Sequence, residues 1–119
     1  MANERFNLYV KEGALTIADT AATFLFNLPE FARLVGVRVL TEVASVGATL
    51  TMGTAATPAL YVNAGDISGL GMSFLALLDD NAISGGPIPV YGSIGGAPGA
   101  GGPFRVFAEY ITSKSVRVL

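Results

Sequence analysis

The 119-residue chain contains no cysteine, no histidine and no tryptophan. Without histidine and cysteine, one chain can build no Ser-His-Asp or Cys-His site and no zinc site of the ordinary kind. It forms no disulfide, which fits synthesis in a reducing cytoplasm. Charge is scarce as well. Seven Lys and Arg stand against nine Asp and Glu, leaving a net charge of −2. No basic run exists, so sequence-independent nucleic-acid binding lacks its electrostatic footprint. A spanning helix needs about 20 mostly apolar residues. The charge-free runs 43–65 and 81–104 are full of Gly, Pro, Thr and Ser, and Ile67–Leu78 is too short and contains Gly69 and Gly71. Arg5, Lys11 and Glu12 interrupt any apolar region near the start, so no signal peptide is expected. Mean hydropathy is nevertheless positive, +0.56. With membrane insertion disfavoured, the surplus apolar surface is expected to be buried against copies of the chain or a partner.

The clearest pattern lies in residues 28–62. Val35, Val37, Val39, Thr41 and Val43 occupy every second position, with Arg38, Leu40 and Glu42 between them. Side chains of a strand alternate faces, so this predicts one long strand with Val35, Val37, Val39 and Val43 turned to a core. Burial of each valine contributes about 1.5–3 kcal/mol. Ala48–Met52 reads as a second strand, joined to the first through the glycine-containing loop 44–47 as a hairpin. Gly53–Pro58 breaks the pattern and Ala59–Val62 resumes it.

Elsewhere the chain is a series of short strands. Phe6, Leu8 and Val10 alternate with polar neighbours, Lys11-Glu12-Gly13 is turn-like, and Ala14–Ala18 forms a second short strand. In Ala22–Leu28, the residues Phe24, Phe26 and Leu28 share a core face. A stacking platform is disfavoured because no basic residues interleave with them. Pro29–Ala32 is a connector with room for one helical turn. Asn63–Asp66 reads as a turn, and Met72–Leu78 as a strand. Ile88–Ser93 is a strand that Pro87 and Pro89 confine to an edge or a bulge. Gly95–Pro103 is an exposed hairpin tip. Phe104–Ile111 is the last clear strand, with Phe104, Val106, Ala108 and Tyr110 on one face, and Val116 and Val118 alternate beyond it. The whole predicts one all-β domain over residues 1–119, an antiparallel β-sandwich of jelly-roll type, with 1–11 as an N-terminal arm.

The candidates for chemistry are few. Asp79 and Asp80 are the only adjacent carboxylates. Calcium would need several oxygen ligands, and Asp79-Asp80-Asn81 lacks the loop spacing that supplies them, so a turn is expected. The glycines of 95–102 invite a phosphate-loop reading, but no Gly-Lys-Ser/Thr follows and the next element is a strand. Two readings of that loop stay open: idle exposure, or close backbone contact with a neighbouring subunit. Arg33, Arg38, Arg105 and Arg117 have Glu30, Glu42 and Glu109 available as cross-strand or intersubunit partners. No cofactor, metal or catalytic residue is expected, and an enzyme using Asp79 or Asp80 is the least favoured reading. A carbohydrate- or ligand-binding sandwich would need a concave face uniting Tyr61, Tyr91 and Tyr110, which are dispersed in sequence.

The segment LPEFARLVGVRVLTEVASVGATLTMGTAATPALYVNAGDIS resembles a module of small structural proteins of tailed bacteriophages, the capsid decoration (cement) proteins and their virion relatives. The matching pieces are Leu28-Pro29, Val37-Arg38-Val39, Gly47, Thr49–Ala55 and Ala64–Ser68. They cover about a third of the chain. The resemblance implies a non-enzymatic protein, made in the host cytoplasm and carried on the capsid exterior, with a neck or tail position as the alternative. Its partners would be the major capsid protein and itself, as a trimer before a dimer. Contacts would fall in the arm (Phe6, Tyr9), the connector (Phe31, Arg33) and the glycine loop (Gly96, Gly99, Gly101).

Overall fold

The computed structural model describes residues 8–78 and 87–112. Eight strands follow one another: β1 (Tyr9–Leu15), β2 (Thr23–Leu28), β3 (Ala32–Thr41), β4 (Thr49–Gly53), β5 (Val62–Asp66), β6 (Gly71–Leu75), β7 (Ile88–Gly95) and β8 (Phe104–Thr112). They form two antiparallel four-stranded sheets, ordered β1-β8-β3-β6 and β2-β7-β4-β5. The first strand pairs with the last, the second with the seventh, the third with the sixth, and the fourth with the fifth. That nesting is the jelly-roll arrangement. No helix occurs among the described residues.

The core lies between the sheets. Val37, Val39, Phe104 and Val106 come from one sheet, and Leu28, Leu50, Met52 and Val90 from the other, all fully buried. Of the two alternating faces of β8, the one carrying Phe104, Val106, Ala108 and Tyr110 is turned inward.

Two bulges correct the predicted faces. In β3, Leu34 faces Tyr110 and Gly36 faces Glu109, so two steps of β3 oppose one of β8. The extra residue is Val35, which is turned out to solvent while Leu34 and Val37 stay buried. Val43 is exposed too, because β3 ends at Thr41. In β2 the register shifts between Phe24 and Phe26, so Phe24 stands 51% exposed while Leu25, Phe26 and Leu28 are buried.

Other expectations give way to long-range pairing. Lys11-Glu12-Gly13 is no turn: it is the middle of β1, paired residue by residue with β8. Ala14 and Leu15 complete that strand, and 16–22 is loop. β3 and β4 form no hairpin, since they belong to different sheets. Asn63–Asp66 is strand, held against β4. The 29–31 connector is a turn without helix, with Phe31 left-handed at φ 59°. β7 is central rather than edge, but Pro89 sits in its first half, which pairs with β2 alone. β4 joins only from Tyr91 onward. A proline is tolerated where one side of the ladder is open. The Asp79-Asp80 pair and the Val116–Val118 strand lie outside the described residues.

Candidate contact surface

The strand connections 16–22, 42–48, 67–70 and 96–103 meet at one end of the sandwich, and hydrogen bonds bind them into a single block. Ser45 is its centre. Its Oγ donates to the Ala100 carbonyl at 2.7 Å, its N–H donates to the Ser68 carbonyl at 2.9 Å, and its own carbonyl accepts from Ala48 N–H at 3.0 Å. Gly102 N–H donates to Val43 O at 2.8 Å, and Glu42 N–H to Pro103 O at 3.2 Å. Thr41, at the end of β3, is fully buried and donates its hydroxyl to Ile67 O at 2.8 Å. Ile94 N–H reaches Asp19 O at 2.8 Å, which brings in the first loop. Buried polar groups paired in this way hold a loop in one conformation, because leaving any of them unpaired is costly.

Glycine makes the close packing possible. Gly96 has φ 80°, and a Cβ there would collide with the Gly47 carbonyl; one at Gly101, with φ 103°, would collide with Ala44 O and Ser45. Gly95–Pro103 is therefore not a free hairpin tip. It crosses between the sheets and lies clamped on the β3–β4 connection. Gly99 differs: nothing stands near its missing Cβ, and it is exposed.

The face that this block presents is apolar. Val46 is 89% exposed and Leu70 73%, with Val43, Ala97, Gly99 and Ala100 exposed around them. The four loops carry two carboxylates, Asp19 and Glu42, and no cation. Asp19 is occupied within its own loop, accepting from Thr16 N–H at 2.7 Å. Asp66 caps the approach to Ser68. The Ser68 hydroxyl, and then its backbone N–H, bond the carboxylate at 2.6 and 2.9 Å and hold its pKa below the ordinary value.

The sequence-derived contact residues separate into two groups. Gly96, Gly99 and Gly101 belong to the loop block. Phe31, Arg33 and Tyr9 lie at the opposite end, about 30 Å away along the ten residues of β3. There Tyr9 stacks on Tyr110 with ring centroids 5.4 Å apart, and Phe31 is exposed. Burial, with a smaller contribution from Tyr9, pushes the Tyr110 phenol above its ordinary pKa. Phe6 lies outside the described residues.

The tyrosines offer no shared platform. Tyr61 and Tyr110 are buried, and Tyr91 sits on an outer face with its ring edge-on to Phe24 at 6.2 Å. Arg38 and Arg105 pair with carboxylates of the expected set, and Arg117 lies outside the described residues. Arg38 Nε lies 3.6 Å from Glu109 Oε1 and its guanidinium 5.7 Å from the centre of the Phe107 ring, and Arg105 Nε lies 3.9 Å from Glu42 Oε2. Such surface pairs contribute about 0–1 kcal/mol each. No cluster of three or more acidic groups that could hold a metal occurs among the described residues.

Val46 and Leu70 were missed at sequence level. No periodicity marks an exposed apolar loop residue; the signal available was the absence of charge from 43 to 65 and from 67 to 78.

No protein-family model matches the sequence, and no curated protein matches it. Solved structures do share the fold. A chain of the cyanophage Pam1 capsid asymmetric unit superposes with a TM-score of 0.68 at 21% identity, over 91% of this chain and 86% of that one. A chain of the acidic stable capsid structure of Helicobacter pylori bacteriophage KHP30 superposes with a TM-score of 0.67 at 14% identity, over 100% of this chain and 98% of that one. This jelly roll is thus shared, nearly end to end, with chains of two bacteriophage capsids.

Proposed function

We propose that the protein is a non-enzymatic structural component of a tailed-phage virion that decorates the capsid exterior and stabilises it by binding coat subunits as a small homo-oligomer. The observation that carries this reading is the near full-length likeness of the fold to chains of two phage capsids. The loop block supports it. A rigid, cation-free apolar surface suits docking onto another protein, since little conformational entropy remains to be lost on contact. Val46, Leu70 and the glycine loop carry the contact to the coat, and the Tyr9–Phe31–Arg33 end carries a second one. Self-association into a closed ring, trimer before dimer, is what the sequence resemblance suggests.

The test is the copy number of this chain relative to coat protein, by quantitative mass spectrometry of gradient-purified particles. A ratio near that of the coat is expected. A few copies per particle would move the protein to the neck or tail, and absence would end the virion reading. Changing Val46→Asp together with Leu70→Asp is expected to lower the copy number at least tenfold while the purified chain stays folded. Unchanged occupancy would remove the loop block from the coat contact.

A further inference from the structure

We infer that the outer edge of β6 is a self-pairing site, where two copies join antiparallel about a two-fold axis at Ser73. Among the described residues the sandwich has four edge strands: β1 and β6 in one sheet, β2 and β5 in the other. Free edges recruit other strands unless something blunts them. β1 carries Lys11 and Glu12 at its centre. β2 is bent by its bulge at Phe24. β5 has a register shift against β4, Ala64 at φ 50° and the charged Asp66. β6 has no charge and no register shift, and its one positive φ, 100°, falls on its first residue, Gly71. Its register with β3 runs unbroken from Gly71 to Leu75, and residues 67–78 contain no charge and no proline. Two of its side chains are left in solvent, Phe74 at 76% and Met72 at 43% exposure.

The occupant that fits best is a second β6. In the antiparallel register centred on Ser73, Met72 of each copy lies opposite Phe74 of the other, and Leu75 lies opposite Gly71. The first pairing sets thioether against ring, a favourable contact. The second sets a large side chain against none. No like charges come opposite one another. Arg38, beside Phe74 on β3, would stand three strand spacings from its counterpart, about 14 Å and beyond the physiological screening length of about 8 Å. The two β1-β8-β3-β6 sheets would then run on as one sheet of eight strands. The inference is independent of the capsid reading. It sets a two-fold contact before the trimer.

Sedimentation equilibrium of the full chain tests it, with two variants. A monomer–dimer equilibrium is expected, with Phe74→Lys weakening dimerisation at least tenfold; Phe74 is exposed, and circular dichroism confirms that the variant folds. The chain has no cysteine, so Ser73→Cys places one thiol per copy. Opposed residues of antiparallel strands have Cα atoms about 4.5–5.5 Å apart, within disulfide range. Ser73→Cys should oxidise to a covalent dimer, and Glu12→Cys on the opposite edge should not. A monomer at high concentration, a dimer or trimer indifferent to Phe74→Lys, or equal cross-linking of the two cysteine variants would each overturn the inference.

Discussion

Ser45 Oγ donates to the carbonyl oxygen of Ala100 at 2.7 Å, joining two loops 55 residues apart in the chain. This one bond ties the β3–β4 connection to the glycine loop that precedes β8. Truncating the hydroxyl removes a part-buried hydrogen bond, which typically contributes about 0.5–1.5 kcal/mol. Ser45→Ala should therefore lower the urea midpoint with an unchanged m-value. Amide exchange in 96–102 should rise more than in β3 or β8. Uniform acceleration of exchange across the sandwich would show that the bond has no special hold on that loop.

Gly96 and Gly99 lie three residues apart in one loop and should respond oppositely to alanine. At Gly96 a methyl group meets the Gly47 carbonyl, and φ is +80°. The strained backbone alone costs about 1–3 kcal/mol, so Gly96→Ala should lower the melting temperature by several degrees. Gly99 has open space around it and no positive φ is found there. Gly99→Ala should stay within about 0.5 kcal/mol of the parent. Equal losses at both positions would mean that the loop is not clamped as described.

The bulge in β3 makes an equally sharp contrast. Val37→Ala removes fully buried methyl groups and should cost about 2 kcal/mol. Val35→Ala, two residues earlier and exposed, should change stability by no more than about 0.5 kcal/mol. Chemical denaturation of both variants checks the pair. A large loss at Val35 would place it in the core and remove the bulge.

Asp66 gives a pH dependence of definite sign. The Ser68 hydroxyl, and then the Ser68 N–H, depress the folded-state pKa below the ordinary carboxylate value. Between the two values the unfolded chain binds more protons than the folded one, so stability rises with pH there. The contribution is complete above the unfolded value and is lost as pH falls through the folded one. The stability difference between the parent and Asp66→Asn should be constant near neutrality and shrink on acidification below about pH 4. A difference that grows toward acid would reverse the assignment.

Much of this fold is legible in the residues themselves. β8 alternates without interruption, and the two faces its sequence separates are the buried and the outer one in the fold. What escaped the sequence has a common physical origin in long-range pairing. Val35 and Phe24 continue the apolar alternation, yet a bulge against a distant strand turns each outward. Lys11-Glu12-Gly13 has turn composition, but seven consecutive pairings with β8 hold it extended. The β3–β4 loop has hairpin composition, but the two strands find better partners in opposite sheets. The glycine loop illustrates the same limit: its sequence left exposure and contact with a neighbouring subunit both open, whereas the backbone it approaches, at Gly47 and Ala44, belongs to its own chain. Of the expected contact residues, the sequence could not say that Gly96 and Phe31 sit at opposite ends.

The nested pairing of first strand with last also orders events during synthesis. Among the described residues, β1 is an edge strand whose ladder partner is β8 alone. β8 also supplies one side of β3. On the ribosome, β1 emerges first and must wait for its partner until nearly all the other strands have been made. Until residues 104–112 arrive, β1 has no native hydrogen-bonding partner and β3 lacks one of its two neighbours. The strand that waits longest unpaired is the one that carries Lys11 and Glu12, charges that discourage a wrong strand from joining it in the interval.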